Sequence, residues 1–430
     1  KKRYTDCLLT NCHSTACMDV VDLTENCGIV LSELSARDEL DSVESELQQV
    51  ETKIESLLQR QSKLLDRKRK LQLQIDVDLR APKADWSGSF PWDTELLEAL
   101  KSEFSLHDFR PLQREIINAS LQGRDVLCLI PSGGGKSLCY QLPAIIRQSV
   151  TLVVSPLISL IQDQVLGLRR VGINAEALTS LSPKEEQQRV YRGMDDPRRS
   201  APLLLYVTPE RIATSKRFLG KLDKLYHSGA LGLIAVDEAH CCSQWGNDFR
   251  PDYKKLGVLK QQFPKVPIMA LTATATERVC ADLKEILNIG GCEFFRRSIN
   301  RPNLMYEVVH KPPTQAEQLE LLLGWIRRHF PRGETGIVYC LTQKDAEQMA
   351  ASLNANGITA DFYHANMDPA HREQVHLDWS SGGLQVLAAT VAFGMGINKA
   401  DVRFVVHETM SKSLENYYQE SGRAGRDGGP

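Results

Sequence analysis

From Val126 onward the chain alternates short apolar runs with stretches of helical spacing, and few architectures tolerate that rhythm. Val126–Ile130, Thr151–Val154, Leu203–Val207, Leu233–Val236 and Ile268–Leu271 carry no charge and are rich in branched side chains. Such runs read as parallel strands buried on both faces, because a half-solvated strand would alternate instead. Gly336–Cys340, Ala360–Tyr363, Leu384–Ala388 and Phe404–His407 form a second series. Two series of strand–helix alternation predict two doubly wound α/β domains, 93–297 and 298–430, divided near Ser298–Pro313. Open sheets of this kind bind ligands beyond the carboxyl ends of their strands, so chemistry is expected there.

The 430 residues exceed what one core usually serves, in keeping with more than one domain. A net charge of −2 with 42% hydrophobic and 25% charged residues excludes a mainly disordered chain. It does not exclude a nucleic-acid partner, since a local basic groove suffices. No apolar run of about 18 residues is present, so no membrane partner is expected. The chain opens on Lys1 rather than Met and carries no secretory h-region, which suggests a piece of a longer protein without a signal peptide. Eleven cysteines, an odd number, read as reduced thiols rather than a disulfide framework. Cys7, Cys12, His13, Cys17 and Cys27 crowd the N-terminus without a close CxxC pair, so a tail over 1–32 is favoured over a metal site and zinc is not expected.

Between 33 and 76 the spacing changes. Leu40, Val43, Leu47, Val50, Ile54, Leu57, Leu64, Leu71 and Ile75 form one seam at alternating threes and fours, broken only by Gln61 and Lys68. With no Pro or Gly inside it, this predicts an α-helical coiled coil preceding the two domains. Its first half is acidic, whereas Arg60, Lys63, Arg67, Lys68, Arg69 and Lys70 make the second half basic. Antiparallel pairing would oppose unlike charges, so the expectation is antiparallel self-association through 40–75, or docking within the chain. The Arg67–Lys70 cluster reads as a basic helix face ahead of a nuclear-import signal. Pro82, Gly88 and Pro91 mark 77–92 as a linker.

The strand Val126–Ile130 runs into Pro131-Ser132-Gly133-Gly134-Gly135-Lys136-Ser137 and then a helix. Glycines let backbone N–H groups turn toward phosphate oxygens, and the helix N-terminus adds positive dipole. Lys136 would reach the β and γ phosphates and Ser137 would ligate magnesium; only Ile130 departs from the phosphate-loop pattern, which asks for Gly. About a hundred residues on, an apolar strand ends in Asp237-Glu238-Ala239-His240. Asp237 would hold the metal and Glu238 would polarise the attacking water, so the two segments together predict hydrolysis of ATP with Mg²⁺.

Further segments carry a resemblance. Asp237–His240 resembles the box of superfamily 2 helicases, and Phe109-Arg110-Pro111-Leu112-Gln113 resembles their adenine-sensing segment, which implies Phe109, Arg110 and Gln113 at the nucleotide. Ser155-Pro156-Leu157, Thr208-Pro209-Glu210 and Leu271–Thr276 resemble motifs that grip the strand or couple to it, implying roles in DNA binding for Ser155, Thr208, Thr272 and Thr274. Ala392–Ile397 resembles motif V, and Gln419–Gly428 resembles motif VI, implying Gln419, Arg423 and Arg426 at the nucleotide, with Arg426 as the preferred arginine finger. Cys241–Pro251, with Trp245, Phe249 and Arg250, is similar to the aromatic-rich loop of RecQ DNA helicases, although Asn247 stands where the family usually has His. An aromatic one loop from the carboxylates could stack on a base, worth roughly 1–3 kcal/mol, or pack as a loop anchor.

The resemblance, over about 95–430, implies two tandem RecA-like domains, 3′→5′ movement along single-stranded and forked DNA, and repair and recombination work in the nucleus. It also implies a zinc module and a winged helix after motif VI, beyond Pro430. The alternatives are an RNA helicase with the same box, or a coil-based DNA-binding scaffold with a weak ATPase.

Overall fold

A computed structural model of the chain describes residues 39–61, 63, 64, 67, 84–196, 201–246, 249–390 and 399–429. It divides into two compact units, 1–82 and 83–430. The N-terminal cysteine cluster, most of the basic half of the seam, Asn247 and the motif V segment lie outside the described residues.

In the first unit, residues 39–61 form one helix, α1, whose described side chains are all exposed. Leu40, Val43, Leu47, Val50, Ile54 and Leu57 line one apolar stripe, each at least half accessible.

The second unit holds two parallel sheets. Seven strands are ordered β3-β4-β2-β5-β6-β1-β7, namely Ala175–Leu178, Leu204–Val207, Val150–Val154, Leu231–Val236, Ile268–Thr272, Val126–Leu129 and Glu293–Arg296. Four more follow in the order β11-β8-β10-β9: Phe404–His407, Gly336–Tyr339, Val386–Ala389 and Ala360–Tyr363. Every pairing is parallel. The central strands are buried along nearly their whole length, Gly232 in β5 being the exception, which is why their sequences run apolar. Two apolar clusters flank the first sheet, one around Leu152, Phe218 and Tyr253 and one around Cys128, Tyr140 and Tyr206. The second sheet is lined around Trp325 and Phe404 on one face and around Trp379 and Leu387 on the other.

Two features were not expected. β3 and β7, at opposite edges of the first sheet, each carry a Glu and are only partly buried, so neither reads as a core strand. The end of the supposed linker is folded: Trp86, Phe90 and Trp92 stack in series. Asn118, in α3 (Gln113–Leu121), donates to Trp86 O and accepts from Trp92 Nε1, both at 2.9 Å. The linker reading fails there because three aromatic side chains recover the order that Gly88 and Pro91 would otherwise cost.

Among the described residues no helix is long and apolar enough to cross a membrane.

Candidate active site between the two sheets

β1 ends at Leu129, and α4 (Leu138–Arg147) begins after the Gly-rich loop. Gly133 takes φ +74°, open to glycine at little cost. Gly134 is needed for space: a Cβ there would lie 2.3 Å from Ile130 Cγ2 and 2.9 Å from Pro131 O. The larger residue at 130 is therefore tolerated because position 134 has no side chain. Gln113 donates from Nε2 to Gly135 O at 2.9 Å and accepts from Arg110 N at 2.7 Å. Arg110 Nη1 also donates to Gly133 O. Two of the residues expected to sense adenine thus hold the loop, and buried Gln113 commits both ends of its amide to that task. Phe109 packs half-buried against the cluster around Leu138 and Leu142.

β5 delivers the carboxylates. Glu238 N donates to Asp237 Oδ1 at 2.9 Å, and Tyr253 Oη donates to Asp237 O at 3.0 Å. Glu238 sits at φ +46°, a left-handed conformation that costs a non-glycine residue about 1–2 kcal/mol and that the bond Cys241 N→Glu238 O helps to hold. Burial, reinforced by the neighbouring Glu238 charge, pushes Asp237 up to about 7, with Lys136 opposing. Burial acts on Glu238 in the same direction, but Lys136, His240, Arg423 and Arg426 together hold it below its ordinary value. Glu238 therefore feels cations from both domains at once.

The opposite wall comes from the second sheet. Helix α14 (Leu414–Ser421) ends in the turn that carries Arg423 and Arg426. Arg423 is buried and hydrogen-bonded to Tyr339, and its Nε has no hydrogen-bond partner among the described residues. Burial, then the Arg423 charge, depresses Arg426 to about 9, and a Cβ on Gly133 would lie 2.9 Å from Arg426 Cγ. Both arginines thus meet the seam, one of them directly over the phosphate loop. Gln419, expected at the nucleotide, donates instead to Thr274 Oγ1 at 3.1 Å. At another edge of the seam His376 Nε2, in α13 (Pro369–Ser381), lies 3.8 Å from Asp163 Oδ2 in α5 (Ile158–Arg170).

These residues fit a magnesium triphosphate. A glycine cradle, a lysine, a buried Arg423, a half-buried Arg426, and a Glu238 Oε2 that is buried without a hydrogen bond among the described residues match polyanion, metal and attacking water. Ser137 and Asp237 would hold the metal, Lys136 and the 132–135 amides the phosphates.

The expected strand-binding residues divide. Ser155 Oγ is buried without a hydrogen-bond partner among the described residues, and Thr208 is a buried cap residue of α7 (Pro209–Thr214). Trp245 is 55% exposed, which removes the reading of it as a packed anchor. Its loop is pinned below by Trp245 N→Ser243 Oγ and Ser243 Oγ→Asp282 Oδ2, while the Arg278 guanidinium covers its ring at 3.3 Å. Phe249 is half-buried with Lys254 Nζ 5.3 Å from its ring, and Arg250 donates to Pro156 O at 2.7 Å. Thr272 is fully buried and offers a strand no surface. Its hydroxyl donates to Thr274 O at 3.0 Å, so the proton in the 2.9 Å contact with His240 comes from His240 Nδ1.

Sequence reasoning missed Arg278, Arg301 and Asn303. The last two lie in the stretch that divides the strand series, where polar side chains can reach both domains; that position was the available signal.

Two parallel sheets meeting across a phosphate loop, acids from one and arginines from the other, define a helicase core of the DEAD/DEAH class. The DEAD/DEAH box helicase family matches residues 110–283, and the helicase conserved C-terminal domain matches 297–428. The chain is 55% identical over 346 residues to ATP-dependent DNA helicase Q-like 2 of Arabidopsis thaliana, covering 80% of this chain and 49% of the relative. It is 50% identical over 402 residues to ATP-dependent DNA helicase Q1 of Rattus norvegicus, covering 91% and 64%. The chain belongs to the RecQ-like DNA helicases, and spans between about half and two-thirds of the length of these relatives. Among solved structures, S. cerevisiae Dbp5 bound to RNA and ADP BeF3 superposes with a TM-score of 0.59 at 18% identity, covering 81% of this chain and 87% of that one. Mycobacterium smegmatis helicase Lhr bound to ssDNA and AMP-PNP gives 0.59 at 20% identity, covering 79% and 47%. At such identities these two speak for the fold alone.

Proposed function

We propose that this chain is the motor of an ATP- and Mg²⁺-dependent DNA helicase of RecQ type that moves 3′→5′ on single-stranded DNA and opens forked duplexes during repair and recombination in the nucleus. The observation that carries the reading is Glu238, held in its charged form by Lys136 from one domain and by Arg423 and Arg426 from the other. The ionised carboxylate accepts a proton from water poised at the γ-phosphate, and the arginines take up charge that develops on the phosphoryl oxygens. Ser137 and Asp237 would hold a magnesium ion, which would supply neutralisation of the phosphate charge. Each member of this set binds best when the seam is closed, so hydrolysis and product release open it, and strand contacts on the two domains alternate.

The test is the ATPase rate at fixed salt with single-stranded DNA, duplex DNA or RNA. Stimulation by single-stranded DNA well above RNA is expected; equal or greater stimulation by RNA would favour the RNA-helicase alternative.

For α1 the proposed partner is a second copy of the same helix, antiparallel, which would cover the exposed stripe and set its acidic half against its basic half. Sedimentation of the whole chain should show association that weakens when the basic residues at 60–70 are reversed. A monomer at high micromolar concentration would end this reading.

A further inference from the structure

The segment joining the two sheets wraps the arginine-bearing turn. Tyr418 Oη donates to Ile299 O at 2.9 Å, and Asn303 Nδ2 donates to Gly425 O at 3.0 Å and Gly429 O at 2.8 Å. Arg301 lies at the centre. Its Nη1 is shared between Ser132 O at 3.2 Å, in the phosphate loop, and Gly422 O at 3.3 Å, in the opposite domain. Its Nη2 donates to Ala424 O at 2.9 Å and Gly425 O at 2.7 Å, and its Nε to Asn303 Oδ1 at 3.3 Å.

We infer that Arg301 is a positioning residue for hydrolysis, a fork that ties the phosphate loop to the arginine turn through main-chain carbonyls and so aims Arg423 and Arg426 at the phosphates. This rests on the seam being the hydrolytic site. All three guanidinium nitrogens are engaged by protein oxygens, so Arg301 acts through its neighbours and does not touch the nucleotide. Ser132 adjoins Gly133, over which Arg426 lies, so the tie is one residue from the contact it sets. Only a planar fork can meet carbonyls from both domains in this way; a lysine ammonium brings the charge without the reach. The carbonyls belong to Gly422, Ala424 and Gly425, the turn that flanks Arg423, so loosening the fork frees the arginine directions while the Gln113 and Arg110 contacts to the phosphate loop remain.

The experiment compares Arg301→Lys, Arg301→Ala, Arg426→Ala and the Arg301→Lys/Arg426→Ala double variant, with kcat and KM for ATP measured on saturating single-stranded DNA and melting measured alongside. Arg301→Lys should fold, keep KM within about threefold and lose kcat by about tenfold or more, since a finger placed wrongly acts on the transition state and not on ground-state binding. Added to Arg426→Ala, it should cost clearly less than the roughly tenfold it costs alone, because one of the two arginines it positions is already gone. An unchanged kcat in Arg301→Lys, a rise in KM alone, or losses that multiply in the double variant would overturn the inference. If Arg426→Ala itself hydrolyses at the parental rate, the seam reading falls and this inference with it; if Arg426→Ala is inactive while Arg301→Lys is untouched, only the inference falls.

Discussion

Gly134→Ala isolates the cost of having isoleucine where a phosphate loop ordinarily has glycine. The new methyl would lie 2.3 Å from Ile130 Cγ2 and 2.9 Å from Pro131 O, whereas carbon atoms settle at about 3.5–4.0 Å. Ile130 cannot retreat. It is fully buried in the cluster around Cys128 and Tyr140, and its N–H donates to Thr272 O at 3.1 Å. Overpacking of this kind costs about 1–3 kcal/mol. The loop is the softer partner, so it moves, opening the turn closed by Gly134 N→Pro131 O. A displacement of about 1 Å in a phosphate cradle costs roughly 10²-fold in rate, and that is the expected fall in kcat/KM for ATP. Ile130→Ala removes the obstructing methyl but leaves a cavity that costs about 2–4 kcal/mol. The double variant should therefore hydrolyse ATP at least about tenfold faster than Gly134→Ala while melting lower, a gain in rate against a loss in stability. Contact with Pro131 O leaves the rescue incomplete. Steady-state ATPase and melting curves on the four proteins decide it. Equal damage by Gly134→Ala in both backgrounds would show that the Ile130 contact is not what excludes a side chain at 134.

Three more perturbations separate the parts of the site. Lys136→Ala removes the cation that most opposes burial at both carboxylates and should reduce DNA-stimulated hydrolysis to background; turnover within about tenfold of the parent would remove Lys136 from the phosphates. Trp245→Ala should leave basal hydrolysis intact and abolish its stimulation by single-stranded DNA, because the ring is exposed and its loop is pinned separately through Ser243. Undiminished stimulation would detach this loop from coupling. Asp237→Asn should inactivate the enzyme yet stabilise the metal-free fold. With the folded pKa raised to about 7, the unfolded chain ionises first as pH rises, so this group's cost to the fold is absent below about pH 4, grows through about pH 7 and stays above it, reaching at most about 4 kcal/mol. In EDTA the variant should melt above the parent at pH 8 and level with it at pH 4; the same difference at both pH values would contradict the assignment.

What the sequence revealed follows from how far apart the cooperating residues lie. The central strands were legible because burial on both faces writes itself as an unbroken apolar run, and the edge strands β3 and β7 were not because they are only half covered. The phosphate loop and the carboxylates were legible because their chemistry is compressed into a few neighbouring residues. Arg301 was not, because its partners are main-chain oxygens up to 169 positions away, and carbonyls carry no residue identity. Gln113 and Thr272 show the converse: residue types suited to a ligand, committed by the fold to Gly135 O and His240. The stack of Arg278 on Trp245 leaves no periodic trace either, since one side chain lies in a loop and the other opens a helix.

The seam is closed by two kinds of bridge, and their difference bears on coupling. Near the phosphates the bridge is Arg301 on carbonyls, blind to side chains. Beside Glu238 it is a path that uses side chains: His240 to Thr272, Thr272 to the Thr274 backbone oxygen, and Gln419 of the other domain to Thr274 Oγ1. Glu238 Oε2 lies 3.4 Å from the same His240 Nδ1 that begins this chain. Beside its end is a cavity of about 240 Å³ lined by Trp245 and Thr274 from one domain and by Leu414 and Tyr418 from the other. A group entering that cavity would touch both domains, the aromatic loop and Thr274 together. The two halves of this path meet at Thr274 through different groups: its backbone oxygen accepts from Thr272 and its hydroxyl accepts from Gln419, so a shift passes from one to the other only by displacement of the residue itself. A displacement of Thr274 would therefore be felt at Thr272 and, through it, at His240 beside Glu238.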